Sequence, residues 1–183
     1  MKVSFGDYSK KLDASVLVAM AVFKVLQEKY PSKRISEIAE TTSGGTPLRN
    51  KPEFYNGNIA WLKSGELNDG IISKSEETIT ELGLKNSSAK LLPKGTLLIA
   101  MYGATTGKVG ILDIEATTNQ AVCAIFPDVE VDRDFLFWFL RQHRYEYIRI
   151  SKGGAQPNIS QTLINQTEVP LPNLGEQKKI AQL

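Results

Sequence analysis

The most informative hydrophobic pattern lies in the middle of the chain, where two short apolar runs flank a turn of small residues. The run at 97–102 is long enough for a buried strand and too short for a helix. Residues 103–107 interrupt it, and a second apolar run follows at 108–114. The pattern predicts a β-hairpin. Its loop is expected to present the polar groups of Tyr102, Thr105, Thr106 and Lys108.

Short strand-like segments separated by turn residues continue on both sides of this hairpin. Strands are predicted at 59–63, 78–80 and 122–126, and one helical turn at 81–86. Tight turns are predicted at Asn56-Gly57 and at Asn68-Asp69-Gly70. This alternation predicts an α+β domain with a mixed, mostly antiparallel sheet.

Helical patterns occupy both ends of the chain and one long internal segment. An apolar stretch between Asp13, as N-cap, and Pro31 predicts an amphipathic to wholly apolar helix that packs on another segment or on a partner. This stretch also resembles a secretory signal, but at about thirteen residues it is too short to span a bilayer. The long helix is expected to begin near Asp132 or Asp134 and to end near Ile150, with its aromatic residues in the core. Ser160 is expected to cap a short helix at 161–165.

The GATTGK segment at 103–108 has three possible interpretations. A phosphate-binding loop needs four residues between its glycines, but Gly103 and Gly107 enclose three. Val109 stands where that motif has a hydroxyl, and the following pattern is strand-like rather than helical. The alternatives are a plain hairpin turn, or a loop that contacts a nucleic-acid backbone or base edge. A second loop rich in glycine and amides follows the long helix and contains Gln156 and Asn158.

Composition and charge restrict the function without deciding it. The 183 residues, 42% of them hydrophobic, suffice for one domain with a sizeable core. A formal net charge of +2 permits a nucleic-acid partner without requiring one. A local group of four cations beside one acid, Glu146, is typical of a solvated helix face or of a nucleic-acid contact. These cations are Arg141, Arg144, Arg149 and Lys152.

The single cysteine and single histidine exclude several chemistries. One cysteine cannot form an internal disulfide, and Cys123 with His143 cannot make an ordinary zinc site. Cys123 lies in an apolar run, so we expect a buried thiol rather than a nucleophile. We therefore expect an intracellular, cytoplasmic protein with no ordinary metal site and no membrane association.

Seven segments of the chain form an ordered set of motifs. The segments are SGGTP at 43–47, IAWLKSGEL at 59–67, ITELGL at 79–84, LLPKGTLLIAMYGATTGKVGIL at 91–112, TTNQA at 117–121, GGAQPNIS at 153–160 and VPLPNLGEQKKIA at 169–181. In this order they resemble target recognition domains in the specificity subunits of type I restriction-modification systems. The resemblance extends from about Arg34 to the end of the chain, and the order of its segments makes a chance likeness improbable.

The resemblance implies a DNA target recognition domain at 34–172 and the start of a spacer and dimerisation helix at 173–183. The N-terminal helical segment at 1–33 is predicted from its own apolar pattern and lies outside the resemblance. The resemblance also implies a chain without catalytic residues or a cofactor of its own, with double-stranded DNA, a methyltransferase subunit and a restriction or translocase subunit as partners. Full specificity subunits of this family carry two recognition domains, whereas this chain carries one. The chain is then a half-subunit that dimerises through its terminal helices, a piece of a longer subunit, or the recognition end of a fused restriction-modification enzyme. A dimer would read a split, palindromic target, one half-site per copy.

The residues expected to contact DNA are polar side chains of the loops. Gln120, Gln156 and Asn158 are the better candidates for reading bases, because amides can pair bidentately with adenine. Asn119 and Gln120 can instead satisfy turn backbones, with base contacts in loops such as 48–54 or 68–75. The full set of expected contacts is Lys63, Ser64, Tyr102, Thr105, Thr106, Lys108, Asn119, Gln120, Gln156 and Asn158.

The alternative to DNA recognition is a different class of function, a small nucleotide-dependent enzyme that uses the loop from Gly103 to Lys108.

Overall fold

The elements of the chain follow the alternation of short strands and few helices that its sequence predicts. A computed structural model describes residues 14–151 and 158–182, so the expected N-cap Asp13 and the candidates Lys152 and Gln156 lie outside the described residues. The helices in these ranges are α1 (Ala14–Lys29), α2 (Ile35–Ile38), α3 (Glu81–Lys85), α4 (Arg133–Ile150), α5 (Gln161–Gln166) and α6 (Leu174–Ile180). The strands are β1 (Ser32–Arg34), β2 (Ala39–Ser43), β3 (Tyr55–Leu62), β4 (Gly70–Ile72), β5 (Glu77–Ile79), β6 (Leu97–Ala100), β7 (Val109–Leu112), β8 (Thr117–Thr118), β9 (Val122–Pro127) and β10 (Glu168–Pro170).

Three sheets organise these strands. The largest has the order β2-β9-β6-β7-β4, and all its pairs are antiparallel except β7 with β4. A three-stranded sheet has the order β5-β3-β8, in which β3 pairs antiparallel with β5 and parallel with β8. Strands β1 and β10 form a separate antiparallel pair. The expected mixed, mostly antiparallel α+β architecture is confirmed.

Strand β6 is buried on both of its faces. Its side chains alternate, so Leu97 and Ile99 belong to a hydrophobic cluster with α1 and α4. Leu98 and Ala100 face the other way and belong to a second cluster, which includes Leu62 of β3. Burial on both faces explains the continuous apolar run in the sequence. The central hairpin is therefore held between two cores.

The two terminal helices pack on the long helix α4. Asp132 caps α4 at the expected position, since its side chain accepts hydrogen bonds from the amides of Asp134 and Phe135. The Phe23 ring of α1 lies 5.1 Å from that of Phe135, between ring centroids, and 5.3 Å from that of Phe139. Both helices thus belong to the same body as the large sheet. No helix in the described ranges is long and apolar enough to cross a membrane.

One predicted turn is wrong. Asn56 and Gly57 lie inside β3, where Asn56 has a left-handed φ of 61°. Tyr55 and Ile59 both pair with Ile79, so the register of β3 shifts between them. The segment is an irregularity within one strand and not a turn between two strands, and it uses the same residue types as a tight turn. Two other predictions are confirmed, because Asp69 has a φ of 64° at the expected bend and Ser160 caps α5.

The packing of α1 predicts that Phe23→Ala lowers the free energy of unfolding by about 3–5 kcal/mol, because a fully buried aromatic ring leaves a cavity. Phe23 is 1% exposed. Val25→Ala on the same helix is the matched control, since Val25 is 60% exposed, and we expect a change within about 0.5 kcal/mol. Urea denaturation measures both values. Equal effects of the two substitutions would contradict the packing of α1 into the core.

Candidate nucleic-acid interface

The ends of two parallel strands begin the candidate interface. Lys63 and Ser64 follow β3, and Asn119 and Gln120 follow β8, its parallel neighbour. The Asn119 amide donates to the Leu62 carbonyl at 2.8 Å, which ties the two segments together at one edge. The carboxyl ends of parallel strands therefore bring four of the predicted residues to one place.

The central hairpin and the residues Asn158 and Ile159 meet the same edge. The Met101 amide donates to the Ala121 carbonyl at 2.8 Å, and the Ile159 amide donates to the Met101 carbonyl at 2.9 Å. Tyr102 and Asn158 consequently face each other in an isolated antiparallel bridge. The structure thus brings together all the predicted contact residues that it describes.

A single turn of 3-10 helix, Gly103–Thr105, shapes the hairpin loop. The Thr105 hydroxyl donates to the Ser64 carbonyl at 2.9 Å, so this loop is fixed to the one that follows β3. Tyr102 is 40% exposed. The loop presents Tyr102 as expected, but the expectation is wrong for Thr106. That residue is 1% exposed, and its hydroxyl donates to the Gly103 carbonyl at 2.8 Å.

Arg144, near the middle of α4, supports this loop from behind. Its Nε donates to the Thr106 carbonyl at 3.0 Å, and its Nη1 lies 3.9 Å from Asp69 Oδ2. Asp69 Oδ1 accepts from the Val109 amide at 3.0 Å, which closes the arrangement at the start of β7. Gly107 approaches Arg144 so closely that a Cβ there would lie 2.7 Å from the arginine Cγ. The loop is therefore fastened at both ends.

The other cations near the end of α4 do not form one solvated face. Arg149 pairs with Glu146, whereas Arg141 donates to Ser15 and lies over the Trp138 ring. The side chain of Arg144 is only 22% exposed. Arg141 and Arg144 thus serve packing and support, whereas Arg149 forms a surface ion pair with its side chain 73% exposed.

Several candidate side chains already have partners. The Lys63 ammonium lies 3.0 Å from carboxylate oxygens of both Glu76 and Glu77, and hydrogen bonds to them raise the lysine pKa. Asn119 Oδ1 accepts from the Ala121 amide at 3.1 Å, as expected for a turn-stabilising residue. Lys108 is half-buried and makes no ion pair within the described residues. The side chains therefore differ in how available they are to a ligand.

The loop after β2 adds residues that are not among the predicted DNA contacts. The Thr46 hydroxyl donates to Gln120 Oε1, so this loop lies beside the expected base reader. The Arg49 guanidinium lies 4.7 Å from the ring centres of both Tyr55 and Trp61. Arg49 falls in the 48–54 loop that the sequence offers as an alternative site. Its stacking depends on residues distant along the chain, so the sequence carried no direct signal for it.

The single cysteine and the single histidine both pack against the interior. Cys123 is fully buried, and burial raises the pKa of its thiol to about 12. His143 stacks on Phe139 and meets Tyr147 edge-on, and burial lowers the pKa of its imidazole. Across 14–151 and 158–182, no group of three or more metal-ligating side chains is found. Strand β7 follows Lys108, so the loop lacks the helix on which a phosphate-binding loop depends.

The fold and the edge define a strand-rich α+β domain that presents loops from rigid strand ends. The type I restriction modification DNA specificity domain matches residues 27–183, and the chain belongs to this family. The resemblance found in the sequence motifs is thereby confirmed.

Curated relatives carry the same description. The chain is 29% identical over 157 residues to the type I restriction enzyme EcoR124I/EcoR124II specificity subunit of Escherichia coli. It is 34% identical over 161 residues to the type I restriction enzyme MjaIX specificity subunit of Methanocaldococcus jannaschii. The alignments cover 82% and 85% of this chain but only 39% and 37% of those proteins. The chain therefore spans less than half the length of these relatives.

A solved structure shares the fold. The HsdS subunit from Thermoanaerobacter tengcongensis superposes with a TM-score of 0.67 at 17% sequence identity. The superposition covers 92% of this chain and 42% of that one. At this identity the likeness concerns the architecture, which agrees with the predicted α+β class.

The support behind the hairpin loop predicts that Gly107→Ala destabilises the protein more than Gly103→Ala. Both glycines have left-handed φ angles, +75° and +82°, so each alanine adds about 1–2 kcal/mol of backbone strain. A Cβ at Gly107 also collides with Arg144, whereas one at Gly103 meets nothing within 4 Å. Denaturant titration of the two variants gives the difference. Equal destabilisation would show that Arg144 does not brace the loop.

Proposed function

We propose that this chain reads double-stranded DNA as the target recognition part of a type I specificity subunit. The observation that carries the proposal is the convergence of distant polar segments, 63–64, 102–106, 119–120 and 158, on one edge of the sheets. DNA recognition requires side chains held in a fixed register over several base pairs. A rigid edge built from strand ends meets this requirement.

Within the proposed interface, side chains divide into those that touch DNA and those that hold the loops. Lys108 contacts a phosphate, and Gln120 and Asn158 read base edges, because an amide pairs bidentately with adenine. The oxygen of Gln120 accepts from Thr46 but keeps a second lone pair for a base. Tyr102 supplies an exposed hydroxyl and ring. Gln156 keeps its proposed base-reading role, and Lys63 its phosphate contact. The residues that chiefly hold the loops are Ser64, Thr105, Thr106 and Asn119.

The names of the relatives support a place in a larger complex. Because they are specificity subunits of type I restriction enzymes, we infer that this chain works with a methyltransferase subunit and a restriction or translocase subunit. In this role it positions the methyltransferase on one half-site of a bipartite target in the cytoplasm. It contributes no catalytic group and needs no cofactor.

Selection of bound duplexes from a randomised pool, with the methyltransferase subunit present, tests this proposal. We expect enrichment of a sequence motif at both low and moderate salt. A split symmetric motif would mean that two copies pair, through their terminal helices, and read one half-site each. A single short motif would mean one working domain per complex, as in a longer subunit or a fused enzyme. Absence of enrichment with a folded, assembled complex would refute DNA reading.

The role given to Lys108 predicts a change in the salt dependence of duplex binding. Each phosphate contact contributes about 0.9 to the slope of log affinity against log salt concentration, so Lys108→Gln is expected to flatten that slope by about 0.9. Lys94→Gln is the control, because Lys94 pairs with Asp113 at the opposite end of the β6–β7 hairpin. Fluorescence anisotropy between about 50 and 200 mM salt measures the slopes. Identical slopes for the two variants would remove Lys108 from the interface.

A further inference from the structure

An ionic cluster lies on the outer face of the three-stranded sheet. Glu77 on β5 places one carboxylate oxygen 2.6 Å from Arg49 Nη1 and the other 3.0 Å from Lys63 Nζ. Glu76 Oε2 lies 3.0 Å from the same lysine nitrogen. The Lys63 ammonium is thus held between two carboxylates, one of which it shares with Arg49.

Aromatic stacking fixes the position of Arg49 in this cluster. Its guanidinium stacks over Tyr55 and Trp61, with 4.7 Å from the guanidinium carbon to each ring centre. The Trp61 ring cannot turn freely, because its Nε1 donates to the buried carbonyl of Gly45 at 2.9 Å. The ion pair of Glu77 with Arg49 is therefore the fixed one, and the ion pair of Glu77 with Lys63 is the one that can be replaced.

Glu66 fixes the other side of the cluster. Its two carboxylate oxygens accept from the Lys63 amide and the Glu76 amide, each at 2.8 Å. These bonds hold Glu76 beside Lys63 although the residues are distant along the chain. The acids around Lys63 are accordingly positioned by the fold and not by chance contacts at the surface.

The cluster adjoins the proposed DNA-binding edge. Lys63 directly precedes Ser64, whose carbonyl accepts from the Thr105 hydroxyl of the hairpin loop. The Lys63 side chain is 34% exposed, and that of Glu76 is 69% exposed. A DNA phosphate can reach the ammonium group there, and its oxygens can replace carboxylate oxygens as acceptors.

We propose that Glu76 and Glu77 act as positioning residues whose carboxylates occupy the Lys63 ammonium group when DNA is absent. A DNA phosphate must then displace these carboxylates before Lys63 binds DNA. This rests on the proposed DNA-reading function. The acids then weaken binding to arbitrary duplexes, where contacts at the bases do not help the displacement. On the correct target those contacts supply the missing free energy, which increases discrimination between sequences.

The test is the affinity of wild-type and Glu77→Gln chains for a duplex of random sequence, measured by anisotropy across a salt series. Release of Lys63 adds one phosphate contact, so we expect up to about eightfold tighter binding at 0.1 M salt and a slope steeper by about 0.9. Glu76→Gln should act in the same direction. Glu53→Gln is the charge-matched control, since Glu53 is 51% exposed and pairs with Lys51 instead.

A double-mutant cycle with Lys63→Gln separates release of the lysine from a general loss of negative charge. The cycle uses Glu76→Gln, because Glu77→Gln also frees Arg49, whereas Lys63 is the ion-pair partner of Glu76 within the described residues. In the Lys63→Gln background, Glu76→Gln should change affinity less than about twofold, because the ammonium group that it releases is absent. An effect that persists in this background, or that Glu53→Gln reproduces in full, would overturn the inference. If Glu76→Gln fails to fold, the same cycle with Glu76→Ala decides the question.

The failure of the inference and that of the proposed function are distinguishable. Wild-type binding to duplexes with unchanged affinity in the glutamine variants would overturn the role of the acids alone. Absence of wild-type binding to any duplex, with the methyltransferase subunit present, would overturn the DNA-reading function on which it rests.

Discussion

The structure depends on the burial of β6 on both faces. A strand without an exposed side chain must satisfy its amides and carbonyls by pairing with neighbours on both sides, and β9 and β7 provide this pairing. Its even and odd residues belong to different hydrophobic clusters, so the strand joins the helical layer to the smaller sheet. Any loop that leaves the end of this strand starts from a position fixed by both cores.

This constraint explains why the candidate interface consists of short loops and not of one continuous element. The loop after β6 is tied to the one after β3 by Thr105, and Arg144 braces it from the long helix. Polar groups that look available in the sequence are therefore divided between support and presentation. Rigid support is what a recognition surface needs, because small displacements would change which base edges its side chains reach.

The sequence predicts the elements whose signal is local. The apolar runs of the central hairpin, the Asp132 cap and the burial of Cys123 follow from residue type and spacing. Strands β1, β2, β4, β8 and β10 are absent from the prediction, because they span at most five residues and exist through partners far along the chain. The sequence predicts a turn at Asn56-Gly57, since a turn and an irregularity within a strand need the same backbone freedom. Local pattern also cannot distinguish a buried Thr106 from a half-buried Thr105.

The candidate site follows the same division. Its motifs and the common role of its polar loops could be expected, whereas the ion pairs around Lys63 join residues that no local pattern connects. Whether a lysine faces water or pairs with acidic side chains depends on the three-dimensional arrangement of the strands. Charge counting along the chain is for this reason a poor guide to which cations a ligand meets.

The pairing of β1 with β10 has a mechanical consequence. Ser32 lies opposite Pro170, and the Leu171 amide donates to the Pro31 carbonyl at 3.0 Å, so the backbone enters and leaves the sheets at one point. The part of the chain between these strands therefore begins and ends at one place, and α1 and α6 on either side pack on α4. A torque applied to those two helices would rotate the whole proposed DNA-binding edge as one rigid body, and the relative positions of the residues on it would not change.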